Sequence, residues 1–256
     1  MGNVNTSIEN GIATIELSTP GKKNALNQTS WTGLRDIARS LSENKDVRVV
    51  IIKGNNGDFS SGADLSDPEE LTLNGLTRMR IIGDSILEVQ KIAKPTIAQV
   101  EGVAVGAGMG LALACDLVIA SKDARFCQIF VKRGLSVDGG SSWILPRLIG
   151  LQKSKELAFF GDMLSADDAF KLGIVNKVVD KEEINGAVEE WAQKLSSAPT
   201  FAISLAKSLI NTSFSVSYDQ ALENEAIAQS LVFTTSDFAE AMSAFIQRRD
   251  PIFKGF

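Results

Sequence analysis

Small residues that follow an apolar run mark the place in this sequence where backbone N–H groups could do chemistry. In the segment PTIAQVEGVAVGAGMGLALACD (residues 95–116), a β-type run leads to Gly106, Ala107 and Gly108, and an apolar helical pattern follows. The first N–H groups of a helix have no partner within it, and the helix dipole favours negative charge there. The segment therefore predicts a site for a phosphate, a carboxylate or a developing oxyanion.

Two further loops are rich in Gly, Ser and Asp, a composition typical of loops that form binding sites. Residues 58–65 (DFSSGADL) follow a β-branched run, and residues 137–142 (VDGGSS) carry the carboxylate of Asp138. Loops at the carboxyl ends of strands converge on one edge of an open α/β sheet. We therefore expect these two loops and the Gly106–Gly108 turn to share one site.

The amino-acid composition excludes several kinds of chemistry. The 256 residues include no histidine, which removes Ser-His-Asp and Cys-His nucleophilic systems and nearly all catalytic zinc sites. No metal site is predicted. A net charge of −5 argues against nucleic acid as a partner. No apolar run reaches the length of a membrane span, and the cytoplasm is the expected location. Residues 1–6 match the myristoylation pattern at Gly2, a weak signal alone.

Strand and helix patterns alternate up to about residue 198, which predicts a layered α/β core. From Pro199 onward only helical periodicity is found. The sequence thus predicts a core over residues 1–198 and a helical region over residues 199–256. The many apolar positions of the helical region suit packing against another subunit or against its own domain, and the sequence leaves both open.

A nucleotide site is the first alternative for the Gly-rich turn. In a dinucleotide fingerprint, Gly-x-Gly-x-x-Gly lies near the start of a βαβ unit. Here the third glycine, Gly110, comes one residue early, the turn lies deep in the chain, and no Gly-x-x-x-x-Gly-Lys-Ser/Thr occurs. The nucleotide interpretation is therefore disfavoured.

Together, four motifs resemble the crotonase (enoyl-CoA hydratase/isomerase) superfamily. They are KKNALN at 22–27, GADL at 62–65, VEGVAVGAGMGLALACD at 100–116 and the terminal Pro-x-Phe-x-Gly at 251–255. The resemblance covers nearly the whole chain. It implies a spiral of ββα units followed by a helical trimerisation region, and hence a homotrimer or a hexamer.

The resemblance also implies a site for an acyl-CoA thioester. The backbone N–H groups of Ala63 and Ala107 would form an oxyanion hole for the enolate, each donor contributing about 3 kcal/mol. Coenzyme A would be part of the substrate, and no separate cofactor is expected. The residues implied to bind the substrate are Lys23, Ala25, Ser61, Asp64, Leu65, Val105, Gly106 and Phe130.

The sequence departs from the hydratases of this family at both of their catalytic acids. Gly110 and Phe130 stand at the matching positions, so classical hydration is not expected. Isomerase branches carry one acidic residue near the position of Asp138, and the string GLSVDGGSSWILPRLIG is similar to theirs. An aspartate before a helix also suits an Asx turn or a helix N-cap, which is the structural alternative for Asp138.

We therefore predict an enoyl-CoA isomerase in which Asp138 moves the proton, on a medium or long enoyl-CoA or a ring-bearing acyl-CoA. The alternatives are a weak hydratase, an acyl-CoA thioesterase, and a catalytically silent paralogue that binds acyl-CoA. Aryl-CoA dehalogenases of the family use a histidine to activate water, and this chain has none.

Overall fold

The computed structural model describes residues 3–66 and 74–256. The sequence predicts a long helix over residues 69–92, and the part of it before residue 74 lies outside the described residues, as does Gly2.

The chain opens with an antiparallel hairpin of β1 (Asn3–Glu9) and β2 (Ile12–Ser18). Asn10 and Gly11 connect the strands with φ values of 51° and 79°. Two successive positive φ angles are typical of the hairpin turn that Asn-Gly favours. The sequence predicts a hairpin over residues 4–17 with Asn10-Gly11 as its turn, and the structure confirms it.

The main sheet has six strands, and all neighbouring pairs except the hairpin are parallel. Its further members are β3 (Val49–Gly54), β4 (Thr96–Val100), β6 (Leu117–Ser121) and β9 (Lys177–Val179). The order is β1-β2-β3-β4-β6-β9. A smaller sheet contains β5 (Val103–Val105), β7 (Arg125–Cys127) and β8 (Leu164–Ser165), in which β5 and β7 run parallel.

Nine α-helices lie within the described residues. They are α1 (Gln28–Glu43), α2 (Gly75–Gln90), α3 (Ala107–Ala114), α4 (Ser141–Phe160), α5 (Ala166–Lys171), α6 (Ile184–Ser196), α7 (Thr200–Thr212), α8 (Tyr218–Val232) and α9 (Ser236–Gln247).

Apolar side chains pack on both faces of the main sheet. Alternate residues of β2 (Ala13, Ile15 and Leu17) join side chains of α1, α2 and α3 in one core. Residues on the other face of β3, β4 and β6 pack against α6. Since both faces are covered, the strands read as continuous apolar runs, as parallel strands usually do.

Three loops of the candidate site follow strands of the two sheets. The 58–65 segment follows β3 and is fixed by the bridges Leu26–Ala63 and Ser60–Ala104. β5 leads into Gly106 and α3, while β7 leads through a 3₁₀ helix (Ile129–Arg133) towards Asp138. Since β5 and β7 are parallel neighbours, their carboxyl ends deliver both segments to one edge.

The segment after Pro199 is helical, as predicted, and it is tied to the core through Arg48. The Arg48 guanidinium donates to the carbonyls of Ala198 (2.6 Å) and Phe253 (3.1 Å) and to the Thr200 hydroxyl (3.1 Å). Because Arg48 directly precedes β3, these bonds hold the start of α7 and the residues after α9 against the start of that strand.

Cys115 and Cys127 are buried free thiols, as the apolar sequence around each of them predicts. Within the described residues, no helix has the length and apolarity required to cross a bilayer.

Candidate active site

All eleven residues predicted for the site line one cavity of about 570 Å³. The three predicted loops contribute Ser61 to Leu65, Gly106 with Ala107, and Asp138. Lys23 and Ala25 reach the cavity from the segment before α1, and Phe130 from the 3₁₀ helix after β7. A second cavity, of about 510 Å³, lies between α4 and α7, and its carboxylate Asp116 is paired with Lys207 at 2.8 Å.

Two backbone N–H groups of the cavity have no acceptor. Ala63 and Ala107 do not donate a hydrogen bond to any described residue, although Asp64 N–H next to Ala63 donates to the Leu26 carbonyl at 2.9 Å. Ala107 is the first residue of α3, so its N–H lies at the positive end of the helix dipole. Both groups are therefore available to a ligand oxygen.

Glycines bring these two N–H groups close together. A Cβ on Gly62, the residue before Ala63, would stand 3.3 Å from the backbone nitrogen of Ala107 and 2.8 Å from the Val105 carbonyl oxygen. A Cβ on Gly108 would overlap the Ser60 carbonyl. Only residues without a side chain let the GAD loop lie this near the start of α3.

An apolar wall lies next to Gly106, the residue before Ala107. The Phe130 ring lies about 3.6 Å from the point where a Cβ of Gly106 would stand, and Phe130 itself is buried. Met79, Ile82, Leu135 and Met163 continue this lining. The surface suits a flexible hydrocarbon chain or a ring.

Cationic side chains surround the rest of the cavity. They are Lys22, Lys23, Arg78 and Arg133. Lys22 Nζ donates to Asp64 Oδ2 at 2.7 Å and to the Ser66 hydroxyl at 2.9 Å. Burial alone would raise the pKa of Asp64, but hydrogen bonds from Lys22 and Ser66 hold it below its ordinary value. Asp64 therefore serves as an ionised anchor for Lys22.

Asp138 is the other carboxylate of the described lining, and it is unpaired. Its Oδ1 atom is buried and accepts no hydrogen bond from any described residue. The N-cap of α4 is Gly140, with no side-chain capping bond. The structure therefore does not use the Asp138 side chain as the N-cap of α4, one of the two roles that the structural alternative gave it.

Burial raises the pKa of Asp138 from 3.8 to about 6, and the nearby positive charge of Arg78 counteracts part of this rise. A carboxylate with a pKa this close to neutrality can both accept and return a proton near physiological pH. The cavity thus combines two N–H groups that donate to no described residue with one carboxylate whose pKa suits proton transfer. Such an arrangement can stabilise negative charge on an oxygen while a neighbouring C–H bond is broken.

Arg78 and Arg133 were not predicted from the sequence. Arg78 occupies the same face of α2 as the buried Ile82, Ile86 and Val89. A lone arginine on the apolar face of a helix is the signal that could have identified it. For Arg133 the sequence contains no comparable signal.

Known proteins are similar to this chain over nearly its whole length. The family model described as enoyl-CoA hydratase/isomerase matches residues 7–255. A 1,2-epoxyphenylacetyl-CoA isomerase of Escherichia coli (strain K12) is 33% identical over 253 residues, with 97% of each chain covered. A crotonyl-CoA hydratase of Syntrophomonas wolfei is 34% identical, with 94% of each chain covered.

Solved structures show the same fold. A crystal structure of an enoyl-CoA hydratase from Bacillus anthracis superposes with a TM-score of 0.93 at 30% identity. The match covers 99% of this chain and 100% of the other.

Proposed function

The chain belongs to the enoyl-CoA hydratase/isomerase family, has its crotonase fold, and we propose that it is an isomerase that moves a double bond along an enoyl-CoA thioester. The observation that carries the proposal is the half-buried Asp138, whose buried Oδ1 atom has no hydrogen-bond partner among the described residues, in a cavity with two backbone N–H groups that donate to no described residue. The similar E. coli protein is named an isomerase, whereas other relatives are named hydratases.

The proposed reaction needs one carboxylate and no added water. The ionised Asp138 takes a proton from the α carbon of a β,γ-unsaturated thioester, and the electron pair moves onto the carbonyl oxygen. Ala63 and Ala107 N–H groups hold the resulting dienolate oxygen. The protonated Asp138 then returns the proton to the γ carbon, and the double bond is left between the α and β carbons.

Three cationic side chains that line the cavity, here called the cationic rim, suit the coenzyme A part of the substrate. Lys22, Lys23 and Arg133 line the cavity and carry charges that suit phosphate groups. The apolar wall at Phe130 faces the acyl part, and a medium or long enoyl chain or a ring-bearing acyl group is proposed as the substrate. No separate cofactor is proposed.

The test compares two products from one sample. Purified protein given a β,γ-enoyl-CoA should form the α,β isomer, and α,β-enoyl-CoA should gain water far more slowly or not at all. Chromatography with mass detection separates the isomer, the hydrated product and free coenzyme A. Dominant hydration or thioester hydrolysis would instead support a hydratase or a thioesterase, and binding without turnover would support a silent paralogue.

The pH dependence of isomerisation should report the Asp138 carboxyl. Because the base must be ionised, kcat/KM should rise with pH and reach half its plateau near pH 6, where the raised pKa of Asp138 lies. Initial rates between about pH 5 and about pH 8, with folding verified at each pH, measure this profile. A profile that is flat through pH 6 would contradict the assignment of Asp138 as the base.

We further propose that residues 199–256 form a homotrimer or hexamer interface, while residues 1–198 hold the site. Large apolar side chains of this region are exposed in the single chain, including Tyr218 (81%), Phe245 (80%) and Ile246 (80%). Such a surface is typical of subunit contacts. A cytoplasmic location stays a prediction.

A further inference from the structure

The peptide of Gly139 lies directly on the first turn of α3. A Cβ added at Gly110 would overlap the Gly139 carbonyl oxygen and stand 3.0 Å from the carbonyl carbon and 3.1 Å from its Cα. These are backbone atoms, which cannot rotate away as the end of a side chain can. Position 110 therefore accepts no side chain while the loop stays in place.

Gly139 is also enclosed from the side of α2. It is buried, its φ is +60°, and a Cβ on it would stand 3.2 Å from Ile86 Cδ1 and 3.3 Å from the Cα of Ala107. Gly139, the residue that follows Asp138, is thus held between α2 and the same turn of α3 that offers the Ala107 N–H. The carboxylate and the oxyanion donor are connected through this one contact.

We propose that Gly139 and Gly110 form an interlocked pair that positions the Asp138 carboxylate relative to the Ala107 N–H. The inference rests on the proposed isomerase function and deepens it. Neither glycine carries a group that reacts, so both act by positioning Asp138. Gly110 lies three residues after Ala107 and on the same side of α3, from which a side chain could approach the substrate. By filling this space, the Gly139 peptide also excludes a second acid that could hold water opposite Asp138.

Displacement of the Asp138 loop from α3 would be detected as a change in the pKa of Asp138, which depends on its burial and on the charges around it. Arg78 of α2 acts directly on the carboxyl, and the same cavity is lined by Lys22, Lys23, Arg133 and the anchored Asp64. A loop pushed off α3 would exchange burial for solvent, so the Asp138 pKa would fall towards its ordinary value. A structural role alone would change stability but leave this pKa unchanged in the folded protein.

The experiment measures Gly110→Ala and Gly139→Ala against the control Gly255→Ala. Gly255 has a φ of +96°, and a Cβ there would stand 3.3 Å from the Arg48 guanidinium, so this control strains a region outside the site. For β,γ-enoyl-CoA isomerisation, we expect kcat of both site variants to fall by about 10- to 100-fold. KM should stay within about threefold, and the midpoint of the pH profile should fall below about 6 by half a unit or more. The control should lose thermal stability while its kcat, KM and midpoint remain those of the wild type.

Unchanged kcat and pH midpoint in folded Gly110→Ala and Gly139→Ala would overturn the inference. If Gly110→Ala does not fold, Gly139→Ala decides alone, because its tightest contact is the end of the Ile86 side chain. Full activity in Asp138→Asn would instead contradict the proposed function, so the two failures are distinguishable.

Discussion

Asp138→Asn should lower kcat for double-bond migration by about 10³-fold, within the range that general acid–base groups contribute. Asparagine has nearly the same shape but cannot take a proton from carbon. The buried Oδ1 atom accepts no hydrogen bond from any described residue, so the substitution breaks no hydrogen bond at this atom. Affinity for a non-reacting acyl-CoA should remain within about threefold, because the cationic rim and the N–H donors are unchanged.

Asp36→Asn is the matched control. Asp36 lies on α1, is 59% exposed, and pairs with Arg35 at 2.9 Å away from the cavity. This variant should keep the wild-type rate. If Asp138→Asn retained more than about a tenth of the activity, the proton would have to be moved by another group.

Asp138→Asn should have a larger free energy of unfolding than the wild type at neutral and higher pH. The pKa of Asp138 is raised from 3.8 to about 6, so folding favours its protonated form by up to about 3 kcal/mol. The stability associated with this proton is complete below the ordinary pKa and is lost as the pH rises through about 6. Urea unfolding should therefore give Asp138→Asn a free energy of unfolding about 1–3 kcal/mol above that of the wild type at pH 8. The two free energies should be nearly equal near pH 4.

Ala107→Pro should lower kcat by about 10²- to 10³-fold, the usual cost of losing one oxyanion donor. Ala107 is the first residue of α3, and its N–H has no acceptor among the described residues. Proline suits the first position of a helix, where it removes only an N–H that the helix does not use. The change therefore deletes the donor with little effect on α3.

Two controls distinguish the loss of the N–H donor from the steric effect of the proline ring. Gln28→Pro makes the same change at the first residue of α1 and should leave the rate unchanged. A thioether analogue of acyl-CoA lacks the carbonyl oxygen, so its affinity for Ala107→Pro should match that for the wild type within about threefold. Equal kcat in Ala107→Pro and wild type would remove Ala107 from the oxyanion hole.

Local patterns were sufficient to predict the elements that contain the site. Asn10-Gly11 predicted the hairpin, and the loss of alternation after Pro199 predicted α7 to α9. β5 was missed, because three residues carry no period and its partner β7 lies twenty residues further along the chain. The sequence also predicts one helix near Trp143 and another from residue 151, and α4 is interrupted between them at Gly150, whose φ of 75° and ψ of 166° are not helical.

The sequence predicted which residues form the site, but not how those residues contact one another. The family resemblance named the eleven residues, and the spacing of the loops indicated that they meet. The sequence could not show that the Gly139 peptide occupies the space next to Gly110, because this depends on the packing of α2, α3 and a loop. Nor could it show that the Asp138 side chain leaves the helix cap unused.

The fate of the α hydrogen tests the central claim most directly. A β,γ-enoyl-CoA carrying deuterium at its α carbon is incubated with wild type and with Asp138→Asn, and the label in the recovered thioesters is located by mass spectrometry. The wild type should remove deuterium from the α carbon as the α,β isomer forms, with the label passing to the γ carbon or to water. Asp138→Asn should leave it in place. Removal of the label at equal rates by both proteins, or consumption of substrate by the wild type with the α label intact, would contradict proton transfer by Asp138.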